Sequence, residues 1–345
     1  MAAVFVTGGS GFLGSLLVAK LLEDGHAVTN IDLLPSHIRH PRLSSTVGDI
    51  RDRPLVDRLL ASADHDVVFH CAALLAHGSL DPRELWSSNV EGTRVLAQAV
   101  AAARVESVVN ISSNCLWGQH FDRPVREDDP PHPVEIYGAS KLEAERILAA
   151  HAADFVTTTI RCPTIMDEGR LGLLTILFEF IADGRRVWVV GDGSNRYQFI
   201  YARDLVAAML LAWKARRHTA FGIGSDDVGP MRDAYAYVIE KSGSASRIGS
   251  LPKTPTILAM QAAHLLRVSP LGPYHYRMIA SDFIFDTTRI KAELGWRPTL
   301  TNPEMLLRAY RYYAANRAEI QARKGTSAHR QSADMGVIRL LKWMS

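Results

Sequence analysis

At 345 residues, 47% apolar and 22% charged, the chain has the composition of an ordinary globular protein with room for about two domains. Its net charge of +3 is spread without blocks of like sign, which argues against a nucleic-acid binder. The three cysteines, Cys71, Cys115 and Cys162, have no ligand spacing, so no disulfide framework or metal site is expected and a reducing compartment fits.

The predicted elements alternate along the first half. A β-branched run AVFVT (3–7) precedes a helix across FLGSLLVAKLLED, and AVTNID (27–32) precedes a helix near 53–61. Then come DVVFH (66–70), a helix within 82–103, SVVNIS (107–112), a helix within 135–151 and FVTTTIR (155–161). Strands this apolar, separated by helices, imply an α/β fold: a Rossmann-type doubly wound parallel sheet covered on both faces. Beyond about 165 the pattern loosens into a helix in 171–182, a strand at 186–190 and a helix in 203–216. The expected organisation is a nucleotide-binding domain over 1–165, completed by parts of 190–225. A smaller C-terminal substrate lobe over 166–320 and a tail over 321–345 follow.

The tail ends in MGVIRLLKWMS (335–345), with Val337, Leu340, Leu341 and Met344 near helical spacing. It reads as an amphipathic segment that packs on the body or a partner subunit, with a membrane surface as the alternative. The N-terminal MAAVFVTGG lacks the charged start and long apolar core of a signal peptide, and a cytoplasmic location is expected.

In VFVTGGSGFLGSLL, Gly8, Gly11 and Gly14 follow the first strand and open the first helix. Glycines there let the backbone approach a pyrophosphate, whose charge is favoured at a helix N-terminus. Asp32 closes the second strand 18 residues beyond Gly14. A carboxylate at that place accepts the ribose hydroxyls and repels a 2′-phosphate, which favours NAD over NADP, although Arg39 and Arg42 lie nearby.

With these glycines, TGxxGxxG resembles the extended short-chain dehydrogenase/reductase family, the NAD-dependent epimerases and dehydratases. GDIRD (48–52), HCAA (70–73), NVEGT (89–93), YGASK (137–141), GDGSNRYQFIYARDL (191–205) and ELGWRPT (293–299) follow in the family's order. The resemblance implies cofactor contacts from Phe12 and Leu13 beside the glycines, and from Asp49, Ile50, Cys71, Ala72, Ala73, Asn89, Ser112, Tyr137, Lys141 and Pro163. It also implies a homodimer built on the helices within 82–103 and 135–151.

Tyr137 and Lys141 stand four apart in a helical pattern, so they share a face. A phenol with an ordinary pKa near ~10 is a weak base at neutral pH, and a neighbouring ammonium favours its phenolate. In the family, the strand before this helix ends in a Ser or Thr that hydrogen-bonds the reacting oxygen. Aligning SSNCLWG on SSxxVYG gives that role, and a substrate contact, to Ser113. The Asp–Glu pair of sugar-nucleotide 4,6-dehydratases is replaced by Asn114 and Cys115. Cys115 aligns with the catalytic cysteine of GDP-mannose 3,5-epimerase and GDP-fucose synthase. However, the partner Lys or His of those enzymes is missing from CPTIMDEGRLG (162–172), which offers Asp167, Glu168 and Arg170. Cys115 is read as lining, with proton transfer as the alternative.

On the substrate side, UDP-sugar 4-epimerases often place a diphosphate-binding Arg where this chain has Tyr197. Arg196, one place earlier, is the candidate substitute. Two readings follow: an NAD-dependent nucleotide-sugar epimerase, most simply at C4, or a net dehydrogenase resembling 3β-hydroxysteroid dehydrogenases. IRCPTIM (160–166) and NRYQF (195–199) favour the second.

Overall fold

The structure, a computed structural model, describes residues 1–75, 81–170, 174–266 and 273–322. In chain order, the first half holds β1 (Ala3–Thr7), α1 (Phe12–Glu23), β2 (Ala27–Asp32), β3 (Leu43–Val47), α2 (Arg53–Leu60), β4 (Val67–His70) and α3 (Pro82–Trp86). It continues through α4 (Gly92–Ala102), β5 (Ser107–Ser113), α5 (Ile136–Ala150) and β6 (Val156–Cys162). The second half holds β7 (Thr164–Met166), α6 (Leu174–Ala182), β8 (Val187–Val190), β9 (Phe199–Tyr201), α7 (Ala202–Ala215) and β10 (Thr219–Gly222). After these come α8 (Met231–Ser242), β11 (Ile248–Leu251), α9 (Lys253–Leu265), α10 (Pro273–Met278), α11 (Thr288–Leu294) and α12 (Asn302–Ala315).

The expected parallel sheet is present, with seven strands in the order β10-β6-β5-β4-β1-β2-β3. Every pairing in it is parallel. The order reverses at β1, so the C-terminal ends of β1 and β4 border the crevice where a dinucleotide binds in this topology. Alternation along each strand feeds two cores. Val4 and Val6 pack with Leu17, Leu21 and Met209 on the α1/α7 face, while Phe5 packs with Val56, Leu96 and Leu148 on the α2/α4/α5 face. Fully burying each such side chain contributes about 1.5–3 kcal/mol.

The second lobe has its own core, in which Phe178 of α6, Phe199 of β9, Val238 of α8 and Leu306 and Tyr313 of α12 meet. Thr301 and Glu304 start α12 with a reciprocal cap. A smaller aromatic cluster of Trp117, Val125, Tyr274, Phe283 and Phe285 joins the lobes above β5.

The single helix expected within 82–103 is instead two helices joined by a π-helical turn over Ser87–Glu91. The helix expected over 171–182 is described from Leu174. The amphipathic tail expected over 335–345 lies outside the described residues. Among the described residues, no helix is long and apolar enough to cross a membrane.

Candidate active site

The glycine loop is tight because its neighbours leave no room for a side chain. Gly8 has φ of 76°, and a Cβ there would stand 2.7 Å from Ala72 N; one on Gly14 would stand 2.1 Å from Gly8 O. Helix α1 then begins at Phe12 with no side-chain cap and no acidic residue in its first turn. The positive end of its dipole therefore faces the crevice with no carboxylate in the helix's own first turn, which suits a pyrophosphate. The side chains of Phe12 and Leu13 are buried in the body, so their contact with a cofactor is left to the backbone.

Asp32 accepts Ser10 N through Oδ2 and Leu34 N through Oδ1, both at 2.9 Å. A carboxylate has about four acceptor positions, so two remain for ribose hydroxyls. Arg42 is turned elsewhere, donating to Leu22 O at 2.9 Å near the far end of α1. These residues fit NAD. Asp49 is engaged by Arg51, which donates to both of its oxygens, and Ile50 is buried against Gly92.

The crevice wall after β4 is pinned from two sides. His70 sits between Thr7 Oγ1 at 2.8 Å and Thr93 Oγ1 at 2.9 Å. Burial, with the Lys141 charge adding, holds its pKa down to about 3, so the ring is neutral. Asn89, in the π-helical turn, accepts Leu74 N at 2.7 Å and donates to Leu74 O at 2.9 Å and to Ser140 Oγ at 3.0 Å. Its amide ties the π-helical turn to Leu74, next to Cys71, Ala72 and Ala73. Ser112 Oγ is buried with no hydrogen-bond partner among the described residues, and Pro163 is buried just past β6.

At the reacting end, Ser113 closes β5 in extended backbone. Its Oγ accepts Cys115 N at 3.1 Å and donates to Asn114 Oδ1 at 3.3 Å. Helix α5 starts where Glu135 accepts Tyr137 N at 2.9 Å and Gly138 N at 2.8 Å. A Cβ on Gly138 would stand 2.1 Å from Cys115 O. The helix start thus touches the strand end backbone to backbone, which brings Tyr137 beside Ser113. Lys141, one turn along α5, is 4% exposed.

Burial pushes the Tyr137 phenol well above its ordinary range; Cys115, Cys162 and Glu135 act in the same direction, and the Ser113 hydroxyl opposes them. Burial also pulls Lys141 down, against Glu145. The two shifts bring a phenol that rests protonated together with an ammonium that holds its proton less firmly. The resting phenol thus differs from the phenolate that the sequence reading expects beside Lys141, because burial outweighs the neighbouring groups that would lower it. Burial pushes the Cys115 thiol up to about 12, so at neutral pH it is not a thiolate.

Three residues that the sequence did not mark as a group close this end. Asn114 Nδ2 donates to Tyr197 Oη and Tyr274 Oη, each at 2.7 Å. The phenols lie 3.3 Å apart. Arg196 is not brought to the site: its guanidinium pairs with Asp282, with Nε and Nη2 at 3.1 and 3.0 Å from Oδ2. It borders a small surface hollow lined by Phe121, Pro124 and Phe283, apart from Ser113 and Tyr137.

A doubly wound parallel sheet with a glycine cradle at its reversal point, and Ser113 beside a Tyr–Lys helix, defines an NAD-dependent enzyme of the extended short-chain dehydrogenase/reductase type. Residues 4–224 match the model of the NAD dependent epimerase/dehydratase family, and the chain belongs to that family. The uncharacterised protein y4nG of Sinorhizobium fredii is 35% identical over 340 residues, 98% of this chain and 85% of that one. The UDP-glucose 4-epimerase of Neisseria meningitidis serogroup B is 31% identical over 355 residues, 92% of this chain and 98% of that one. The solved structure of MoeE5 in complex with UDP-glucuronic acid and NAD is similar with a TM-score of 0.72 at 27% identity, over 92% of this chain and 99% of that one.

Proposed function

We propose that this enzyme epimerises C4 of a nucleotide-sugar through a transient keto-sugar. Tyr137 takes the proton of the C4 hydroxyl, and Ser113 hydrogen-bonds the same oxygen to fix its direction. Lys141 places positive charge next to the developing phenolate and binds the ribose hydroxyls of the cofactor. NAD, when bound, supplies an acceptor for the C4 hydride and gives it back. Once the keto-sugar has turned over, so that the hydride returns to the opposite face of C4, Tyr137 gives the proton back to the C4 oxygen.

The observation that carries this reading is that the groups next to Ser113 do not fit elimination of water. Asn114 donates to two phenols, Cys115 is held as a thiol, and both Glu135 oxygens accept backbone N–H groups of α5. Oxidation and re-reduction at one carbon needs no further acid or base. The likeness to a UDP-glucose 4-epimerase and to MoeE5, solved with UDP-glucuronic acid and NAD, supports a nucleotide-sugar as substrate. We also propose a cytoplasmic homodimer assembled on α4 and α5, which pack side by side on one face of the sheet; analytical ultracentrifugation tests its mass.

The test of function is incubation with substoichiometric NAD⁺ and UDP-, dTDP- and GDP-hexoses, following sugars by NMR and NADH by absorbance. A C4 isomer forming without NADH build-up is the expected result. Stoichiometric NADH would point to the dehydrogenase reading instead.

A further inference from the structure

Helix α9 reverses the usual arrangement of a surface helix. None of its 13 residues is buried. Pro255, Leu258, Ala259, Ala262, Leu265 and the capping Leu266 are three and four apart, so they fall on one face, and each of them is exposed. Leu258, Leu265 and Leu266 are 60%, 83% and 71% exposed, whereas Leu17 of α1 and Leu306 of α12 lie in the cores. An aliphatic stripe turned to water is costly unless another apolar phase covers it, and such patches mark interaction surfaces.

The charge around this stripe has one sign. Residues 241–281, which carry β11, α9 and α10, contain no Asp or Glu. The carboxylates that bound the stretch are already paired, Glu240 with Lys241 and Asp282 with Arg196. Arg247, Lys253 and Arg277 are exposed within it. Arg186, exposed at the start of β8, joins them: a Cβ on Gly249 of β11 would stand 2.7 Å from its Cδ. The patch is therefore aliphatic at its centre and basic on the elements that flank it.

We propose that the outward face of α9 docks the enzyme on an anionic lipid surface, with Leu258, Leu265 and Leu266 entering the acyl boundary and the basic residues meeting the headgroups. At 13 residues the helix is about 20 Å long, short of the ~30 Å hydrocarbon core, so it lies in the interface plane. Charge decides against a second copy of the chain, since two such faces would bring arginines together with no carboxylate between them. A protein partner fits less well, because the stripe lacks the aromatic side chains that anchor protein interfaces. The proposal is independent of the reaction assigned above.

The test floats the full chain with vesicles of phosphatidylcholine alone and of phosphatidylcholine mixed equally with phosphatidylglycerol. Wild type is expected to bind the mixed vesicles, the plain ones weakly, and the mixed ones less as salt is raised. The triple variant Leu258→Gln, Leu265→Gln, Leu266→Gln should bind about tenfold or more weakly at an unchanged melting temperature. Arg186→Gln and Arg247→Gln should each cost about fivefold on the mixed vesicles. Should the triple variant melt below wild type, Leu265→Gln alone is the measure, with a loss of about threefold or more expected. Wild type that binds neither vesicle overturns the proposal, as does a well-folded triple variant that binds like wild type, which would move any lipid contact off α9. Equal binding to both vesicles without a salt effect overturns the assignment to an anionic surface. A drop in the lipid-free mass of the triple variant by sedimentation would make the face an interface between copies and overturns it as well.

Discussion

Asn114 Nδ2 lies 2.7 Å from the hydroxyl of Tyr274, 160 residues further along the chain. The same amide reaches Tyr197, and its oxygen accepts from Ser113. One side chain at the tip of β5 therefore joins Ser113 to the second lobe. Replacing Asn114 with Ala leaves phenols in a largely buried cluster without their shared donor, at a cost of about 1–3 kcal/mol. Asn114→Ala is expected to lower the urea midpoint and also kcat, as Ser113 loses its acceptor. Wild-type values of both would show that the cluster neither holds the lobes nor orients Ser113.

Tyr137→Phe keeps the ring packing and removes the proton acceptor. Turnover should fall by about 10²–10⁴-fold, the usual worth of a positioned acid–base group, with nucleotide-sugar affinity retained. Lys141→Met should lower turnover and weaken NAD binding together, since the ammonium serves both phenol and ribose. Steady-state kinetics with direct NAD titration separates the two. An active Tyr137→Phe variant would remove this residue from the proton path.

Cys115 is expected to be lining. Its thiol is pushed up to about 12 by burial, with hydrogen bonds from Ser113 and Tyr274 acting against the rise. Cys115→Ala should turn over near the wild-type rate. Alkylation of Cys115 by iodoacetamide should show no plateau across the ordinary thiol range of about pH 8–9. Loss of turnover in Cys115→Ala, with a thiolate titrating near neutrality, would restore the proton-transfer reading.

The neutral ring of His70 gives a pH dependence with a definite sign. An unfolded histidine takes up its proton as pH falls through about 6.5, whereas folded His70 waits until about 3. Between those values the unfolded chain binds the extra proton. The contribution is fully present above about pH 6.5 and declines below it, by at most about 1.4 kcal/mol per unit. Urea unfolding of wild type and His70→Asn at neutral and mildly acidic pH checks this. The variant should lose less stability on acidification; an equal loss would mean that His70 does not control the slope.

The central strands are legible in the sequence because a parallel strand buried on both faces must be an almost unbroken apolar run, as VFVT and VVFH are. The edge strand Leu43–Val47 was not foreseen: only one neighbour pairs with it, and its LSSTV pattern is largely exposed. The helix within 82–103 was read as continuous because local propensity does not report the bonds Asn89 makes to Leu74 and Ser140. Ser113, Tyr137 and Lys141 could be picked out because each sits at a fixed place in a motif. Asn114, Tyr197 and Tyr274 could not be grouped, since their meeting depends on the second lobe folding over β5. Arg196 misled for the same reason: its partner Asp282 is 86 residues away.

The most direct measurement follows a deuterium placed at C4 of the nucleotide-hexose that the enzyme accepts, in ordinary water with catalytic NAD⁺. Internal return of the same hydride to the opposite face should leave the label at C4 of the isomerised product, at unchanged mass. Loss of the label to solvent, or a product lighter by one water, would contradict C4 epimerisation through Tyr137, Lys141 and Ser113.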